Sequence, residues 1–167
     1  MRVPGATPSQ TVGPFFSFGL CLRDEHHLVA DDHPAALRIE GRVLDGAGEP
    51  VTDAMVEVWQ RDERGERPEG FGFGRCGTDA EGRYGFVAVK PGGAGAPYVS
   101  VLVFARGLLK PVHTRMYFPG EPANAADPLL AALEPAEREA LTGVAEGGRI
   151  RFDIHLQGHH ETPFIAL

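Results

Sequence analysis

A chain of 167 residues suits one domain with a self-sufficient core and requires no second one. Its formal net charge of −7, from 16 basic and 23 acidic side chains, excludes a nucleic-acid backbone or an anionic membrane as the natural partner. Only Cys21 and Cys76 are cysteines, and they lack C-x-x-C spacing, which excludes a disulfide scaffold; 22 glycines and 14 prolines set between β-branched runs point to many turns and an all-β plan.

The first stretch, 1–20, reads as an extended arm. Pro8, Gly13 and Pro14 disfavour helix and central strand, and Phe15, Phe16, Phe18 and Leu20 give its end an apolar character that should lie against this domain or a neighbouring chain. Met1–Ala6 has no signal-peptide apolar run and no stretch is long enough to span a bilayer, so a soluble, cytoplasmic protein is expected. Next come His26, His27 and His33 among Asp and Glu. A metal site is one reading, but adjacent histidines point apart and no partner ligands follow at a recognised spacing, so a solvated loop is expected.

Strand signals begin at Leu37. Residues 37–45 alternate, Asp45–Pro50 is a turn cluster, and Val51–Trp59 returns antiparallel with Val56 and Val58 inward and Glu57 outward or toward a partner. Residues 60–74 are charged and then glycine-rich; the G-x-G-x-G at 70–74 precedes a strand and not a helix, which argues against a phosphate loop. Cys76–Lys90 reads as a hairpin turning at Asp79–Gly82, with Tyr84, Phe86 and Val89 on its buried side. Ala96–Arg106 is the most β-branched run; its weak alternation predicts a central strand buried on both faces. Lys110–Phe118 is a further strand. A helical insertion at about 126–143 is predicted from Pro128 at a first turn, the Leu129, Leu130, Leu133 stripe and the stop at Gly143. Arg149–Gln157 alternates as a final strand with Ile150, Phe152, Ile154 and Leu156 on the core face, and the apolar end at Phe164–Leu167 should dock on the domain or another subunit. The sum is an antiparallel β-sandwich of about seven or eight strands.

No G-x-S-x-G, H-E-x-x-H or P-loop is present, and composition carries the chemistry no further. What informs is a series of motifs in order: Thr7-Pro8-Ser9-Gln10-Thr11-Val12-Gly13-Pro14-Phe15, Gly41-Arg42-Val43, Glu57-Val58-Trp59-Gln60, Gly74-Arg75 with Thr78-Asp79, Val89-Lys90-Pro91-Gly92, Phe104-Ala105-Arg106-Gly107, Thr114-Arg115-Met116-Tyr117-Phe118 and Arg151-Phe152-Asp153-Ile154. Across nearly the whole chain this series resembles the intradiol ring-cleaving dioxygenases. The resemblance implies a β-sandwich and an enzyme system that uses Fe(III) and O2 to open 3,4-dihydroxybenzoate between its hydroxyls, giving 3-carboxy-cis,cis-muconate. It also implies an α chain paired with a homologous β chain, the pairs assembling into a higher hetero-oligomer.

Iron-bearing chains of that family hold the metal with two tyrosines and two histidines, the histidines in an H-x-H on the central strand; hard anionic oxygen and neutral nitrogen suit the ferric charge. Here Tyr98-Val99-Ser100 stands where H-x-H would fall, and no tyrosine lies between Trp59 and Gly74 or between Lys90 and Pro97. Tyr98 alone does not make a metal site, so the resemblance implies that the partner chain holds the iron and that this chain has no metal ligands. The family's substrate-contacting positions fall on Thr11, Gly13, Pro14 and Arg106, with Arg106 also the catalytic candidate. Gly13 permits close approach of backbone to a flat ring, Pro14 stiffens the turn, and Arg106 offers a fixed positive charge; an ordinary strand-end ion pair is the other role open to Arg106. Two competing readings are a non-enzymatic, transthyretin-like β-sandwich binding module and a self-sufficient metalloenzyme built on His26, His27, His33 or His155.

Overall fold

The computed structural model describes residues 19–21 and 24–166. The strands are β1 (Leu37–Leu44), β2 (Met55–Trp59), β3 (Phe73–Gly77), β4 (Arg83–Ala88), β5 (Tyr98–Phe104), β6 (Val112–Tyr117), β7 (Val144–Glu146), β8 (Arg149–Arg151) and β9 (Ile154–His155). A 3-10 turn at Pro122–Ala126 leads into α1 (Pro128–Ala132) and α2 (Pro135–Ala140), all between β6 and β7. The strands form two facing sheets, one ordered β4-β1-β8-β7 with β9 also on β1, the other β3-β2-β5-β6. This is an all-β sandwich, antiparallel throughout except where β8 and β9 run parallel to β1.

One turn design recurs at intervals of seventeen residues and sets much of the course of the chain. At Asp45–Gly48, Asp62–Gly65 and Asp79–Gly82 the Asp carboxylate accepts from the backbone N–H groups two and four residues on, at 2.7–3.0 Å. The fourth residue is each time a glycine with φ of +82°, +83° or +70°, a conformation that a side chain would strain. Gly65 and Gly82 also have backbone or proline atoms where a Cβ would stand.

These turns do not make the expected hairpins. After the Asp45 turn only Leu44 and Pro50 bridge; Val51–Ala54 then cross the sandwich, so β1 and β2 lie in opposite sheets. The crossing is held by Thr78, whose hydroxyl accepts from the Ala54 N–H at 2.9 Å and donates to the Val51 carbonyl at 2.8 Å. β3 and β4 likewise belong to opposite sheets, although the chain reverses at Asp79–Gly82 where a hairpin was expected. Arg149–Gln157 is not one strand either. Phe152 and Asp153 interrupt it, because the Phe152 carbonyl turns inward to accept from the buried Tyr84 hydroxyl at 2.6 Å while the Asp153 carboxylate accepts from the Arg42 N–H at 3.0 Å. The inward positions stay in register across the break, Phe152 and Ile154 being fully buried.

The core between the sheets is built from Val43, Val56, Val58, Phe86, Val99, Val101, Val103, Met116 and Ile154. The central strand β5 presents only one face to it. Val99, Val101 and Val103 are buried, whereas Tyr98, Ser100, Leu102 and Phe104 are half-exposed on the outer face, which corrects the expectation of burial on both faces. A satellite cluster of Tyr117, Leu130 and Leu141 seats the helices on β6. The C-terminal segment docks on the same domain: Thr162 is buried, Phe164 packs on the core, and the Ile165 N–H donates to the His113 carbonyl at 2.7 Å.

The histidine-rich segment is more than a solvated loop. The Glu25 carbonyl accepts from the Arg75 N–H of β3 and the next carbonyl, of His26, accepts from the Val87 N–H of β4, each at 2.9 Å. Leu28 packs against the core above Gly74, where a Cβ would come within 2.5 Å of it. His27 pairs with Asp31 and His33 faces Glu63, at 3.2 and 3.6 Å.

Candidate functional site

The outer face of β2, β5 and β6 carries the side chains of interest because strand register lines them up. Trp59 on β2 lies opposite Ser100 on β5, which lies opposite Arg115 on β6; Tyr98 lies opposite Tyr117, and Leu102 opposite His113. Period-two alternation puts all of these on the side away from the core, except that Tyr117 turns into the helix cluster and is fully buried.

Arg115 organises this surface. Its guanidinium carbon sits 4.2 Å from the centre of the Tyr98 ring, within cation–π range. Its Nη1 donates to the Tyr117 hydroxyl at 3.3 Å, and that hydroxyl donates to Asp127 at 3.0 Å. Asp127 is also the N-cap of α1, accepting from the Leu129 and Leu130 N–H groups, so the helix start and the Arg115 face share one carboxylate. Burial and the hydrogen bond to Asp127 push the Tyr117 phenol up to about 12, against the lowering influence of Arg115. Beside it, Ser100 and His113 share a hydrogen bond of 2.7 Å, and burial together with the Arg115 charge pushes the imidazole below its usual value.

Above this face lies a cavity of ≈ 580 Å³, floored by Tyr98, Ser100 and Arg115 and walled by Trp59, Arg61, Arg67 and Phe71. Trp59 is 51 % exposed and stacks at a tilt on Phe73, ring centres 4.7 Å apart. Gln60 fixes the near wall by donating to the Val89 carbonyl at 2.9 Å.

Arg106 lies past the opposite end of β5, roughly 20 Å away by strand rise. It opens an exposed turn in which Gly107 takes a φ of +86° and the Leu108 N–H donates to the Ala105 carbonyl. Its Nε is ion-paired with Asp53 on the β1–β2 crossing, and 67 % of the side chain remains exposed. Thr11, Gly13 and Pro14 lie outside the described residues.

Ferric iron, which the family resemblance implies, does not fit the residues at the head of β5. Tyr98 is covered by a guanidinium, Ser100 is engaged with His113, and three arginines line the cavity, so a trivalent cation would meet fixed positive charge instead of anionic oxygen. Among the described residues no group of three or more His, Cys, Asp or Glu side chains is arranged to hold a metal ion.

Residues 12–100 match a family model described as Dioxygenase. The chain is 41% identical to the protocatechuate 3,4-dioxygenase alpha chain of Burkholderia cepacia, over 95% of each chain. It belongs to the intradiol dioxygenase family. It is also 36% identical to the protocatechuate 3,4-dioxygenase beta chain of the same organism, over 75% of this chain and 66% of that one. Among solved structures, the dioxygenase domain of a dioxygenase and carbohydrate-binding protein fusion from Streptomyces sp. SirexAA-E superposes with a TM-score of 0.67 at 29% identity, covering 92% of this chain and 99% of that one. In this intradiol dioxygenase the sequence reading singled out Tyr98, Ser100 and Arg106 but not Arg61, Arg67, Arg115 or Asp53. Arg61 and Arg67 share one loop, whereas Arg115 stands far from them in sequence on β6, and only the register of β5 and β6 brings Arg115 onto Tyr98.

Proposed function

We propose that this chain is the α subunit of a protocatechuate 3,4-dioxygenase, pairing with a homologous β chain that holds the Fe(III). The observation that carries the reading is similarity along the whole length to an α chain, with a weaker match to the β chain of the same organism. The cationic head of β5 supports it, since a chain with Tyr98-Val99-Ser100 under Arg115 is unsuited to ferric iron and would depend on a partner for it. Bound in the partner, ferric iron would supply the redox chemistry with which O2 opens 3,4-dihydroxybenzoate to 3-carboxy-cis,cis-muconate.

This chain's part is to complete the wall of that site. Arg106 supplies a permanent positive charge: Asp53 holds the Nε while most of the side chain stays open to an approaching carboxylate or developing anion. Thr11, Gly13 and Pro14 of the arm present backbone and a rigid apolar edge to the ring. αβ pairs join into a larger hetero-oligomer, and the complex works in the cytoplasm; no helix among the described residues is long and apolar enough to cross a membrane.

Co-expression tests the reading. This chain purified alone should carry no stoichiometric iron and cleave no protocatechuate, whereas co-purification with the β chain should give visible tyrosinate-to-iron absorption and ring cleavage. Stoichiometric iron in the isolated chain would overturn it in favour of a self-sufficient metalloenzyme. Failure to co-purify with any homologous chain would favour a non-enzymatic binding module.

A further inference from the structure

The cavity at the head of β5 combines three features that no single packing role explains. Its wall holds Arg61, Arg67 and Arg115 and no carboxylate, in a chain whose net charge is −7. None of these three arginines forms an ion pair among the described residues, whereas Arg38, Arg75, Arg83, Arg106, Arg149 and Arg151 all do. Arg61 donates only to the Gly65 carbonyl, and Arg115 keeps a buried Nε without a hydrogen-bond partner. Of the three only Arg115 is linked to a carboxylate, and that through the Tyr117 hydroxyl to Asp127, so guanidinium donors around the concavity are left for a small anion to take up.

The second feature is aromatic surface. Tyr98 floors the cavity, Phe71 walls it, and Trp59 stands half out of the sheet beside them. A half-exposed tryptophan ring beside a cavity is well suited to stack on a flat ligand. The third is size: ≈ 580 Å³ lies within the range of small-molecule sites and far exceeds what one inorganic ion needs.

The geometry points to a binding site for a small aromatic monocarboxylate in this cavity, the ring between Trp59, Phe71 and Tyr98 and the carboxylate toward Arg115 with Arg61 and Arg67 at the rim. The position where a metal strand would meet iron thereby has the opposite electrostatic sense, attracting an anion where an iron-bearing chain attracts a cation. Every residue invoked belongs to this chain.

Trp59 is the only tryptophan, so the full chain carries its own reporter. Benzoate is the probe, with benzyl alcohol supplying the ring without the charge and acetate the charge without the ring. Titration followed by Trp59 fluorescence and by calorimetry should give saturable binding of one benzoate, at least about tenfold tighter than either control and weakened by salt. Arg115→Gln should weaken benzoate at least about tenfold without improving benzyl alcohol, because the planar bidentate donor is lost. Arg67→Gln, at an exposed rim position with no hydrogen bond or ion pair among the described residues, should weaken it severalfold and covers the case in which Arg115→Gln fails to fold. Equal affinity for benzoate and benzyl alcohol, or no loss in Arg67→Gln together with either no loss or misfolding in Arg115→Gln, would overturn the assignment. Metal content and ring cleavage are separate measurements, so an iron result against the α-subunit reading would leave this outcome distinguishable.

Discussion

Gly41→Ala is expected to be among the most damaging single methyl additions the chain can receive. A Cβ at that position would stand 1.8 Å from the Phe152 carbonyl oxygen, 2.6 Å from its carbon and 2.9 Å from the Tyr84 hydroxyl. Two of the three contacts are backbone, so no rotamer change relieves them, and β1 must part from the bend between β8 and β9. Overpacking of this kind costs about 1–3 kcal/mol. Parting the strands also breaks the buried 2.6 Å bond from Tyr84 to Phe152, leaving polar groups unsatisfied for about another 1–3 kcal/mol. The expected total is about 2–6 kcal/mol, a large fraction of a stability of about 5–15 kcal/mol. Urea unfolding of the full chain followed by Trp59 fluorescence reads this directly. Tyr84→Phe supplies the control: it removes the hydrogen bond without the clash and should cost about 1–3 kcal/mol. Because both substitutions forfeit the same bond, the double variant should fall short of additivity by about 1 kcal/mol or more. A Gly41→Ala chain within about 0.5 kcal/mol of wild type, or strict additivity with Tyr84→Phe, would refute the reasoning.

In the co-purified complex, Arg106→Ala should lower kcat/KM for protocatechuate about ten- to a hundredfold, the equivalent of one charge-assisted contact of about 1.5–3 kcal/mol; unchanged kinetics in an intact complex would leave Arg106 as the strand-end partner of Asp53. Asp127→Ala removes both the α1 N-cap and the acceptor of the Tyr117 hydroxyl, and should cost about 2–3 kcal/mol in denaturant unfolding, with Asp127→Asn retaining part of it. Tyr117 is held protonated in the folded state above its unfolded value of 10, so its contribution is fully present below pH 10 and lost as pH rises toward about 12. Spectrophotometric titration should accordingly show Tyr117 and Tyr84 ionising above the ordinary tyrosine value of about 10, and a Tyr117→Phe chain should lose the upper-pH part of the stability decline.

The sequence made the sandwich legible because alternation survives in β1, β2 and β4, and turn chemistry at Asp45 and Asp79 is local. It did not reveal which sheet follows each turn. The same Asp-x-x-Gly reversal can close a hairpin or hand the chain across, and the difference here rests on Thr78 reaching Val51 and Ala54 from more than twenty residues away. The third copy of the turn, at Asp62, hides in a charged stretch without flanking strands of its own. β5 looked buried on both sides because Leu102 and Phe104 are apolar by type, yet they face outward; side-chain type and side-chain position disagree there. The break between β8 and β9 is invisible because the alternation runs straight through it. At the site, Tyr98, Ser100 and Arg106 were legible through the order of the motifs, whereas the cavity arginines acquire meaning only once β6 is laid beside β5.

The pair of carbonyls at Glu25 and His26 has a consequence for solubility. β3 and β4 are each the outer strand of their sheet, and rows of unpaired backbone groups on such strands are templates on which another copy of the chain can add. Consecutive residues of a single segment occupy both at once, one bonded into each sheet, so one short stretch blunts two open borders of the sandwich. Cutting the chain before residue 24 would leave that seal in place. Cutting it after Leu28 would unseal both borders together, and the shortened protein should self-associate through its sheets even where its core remains folded.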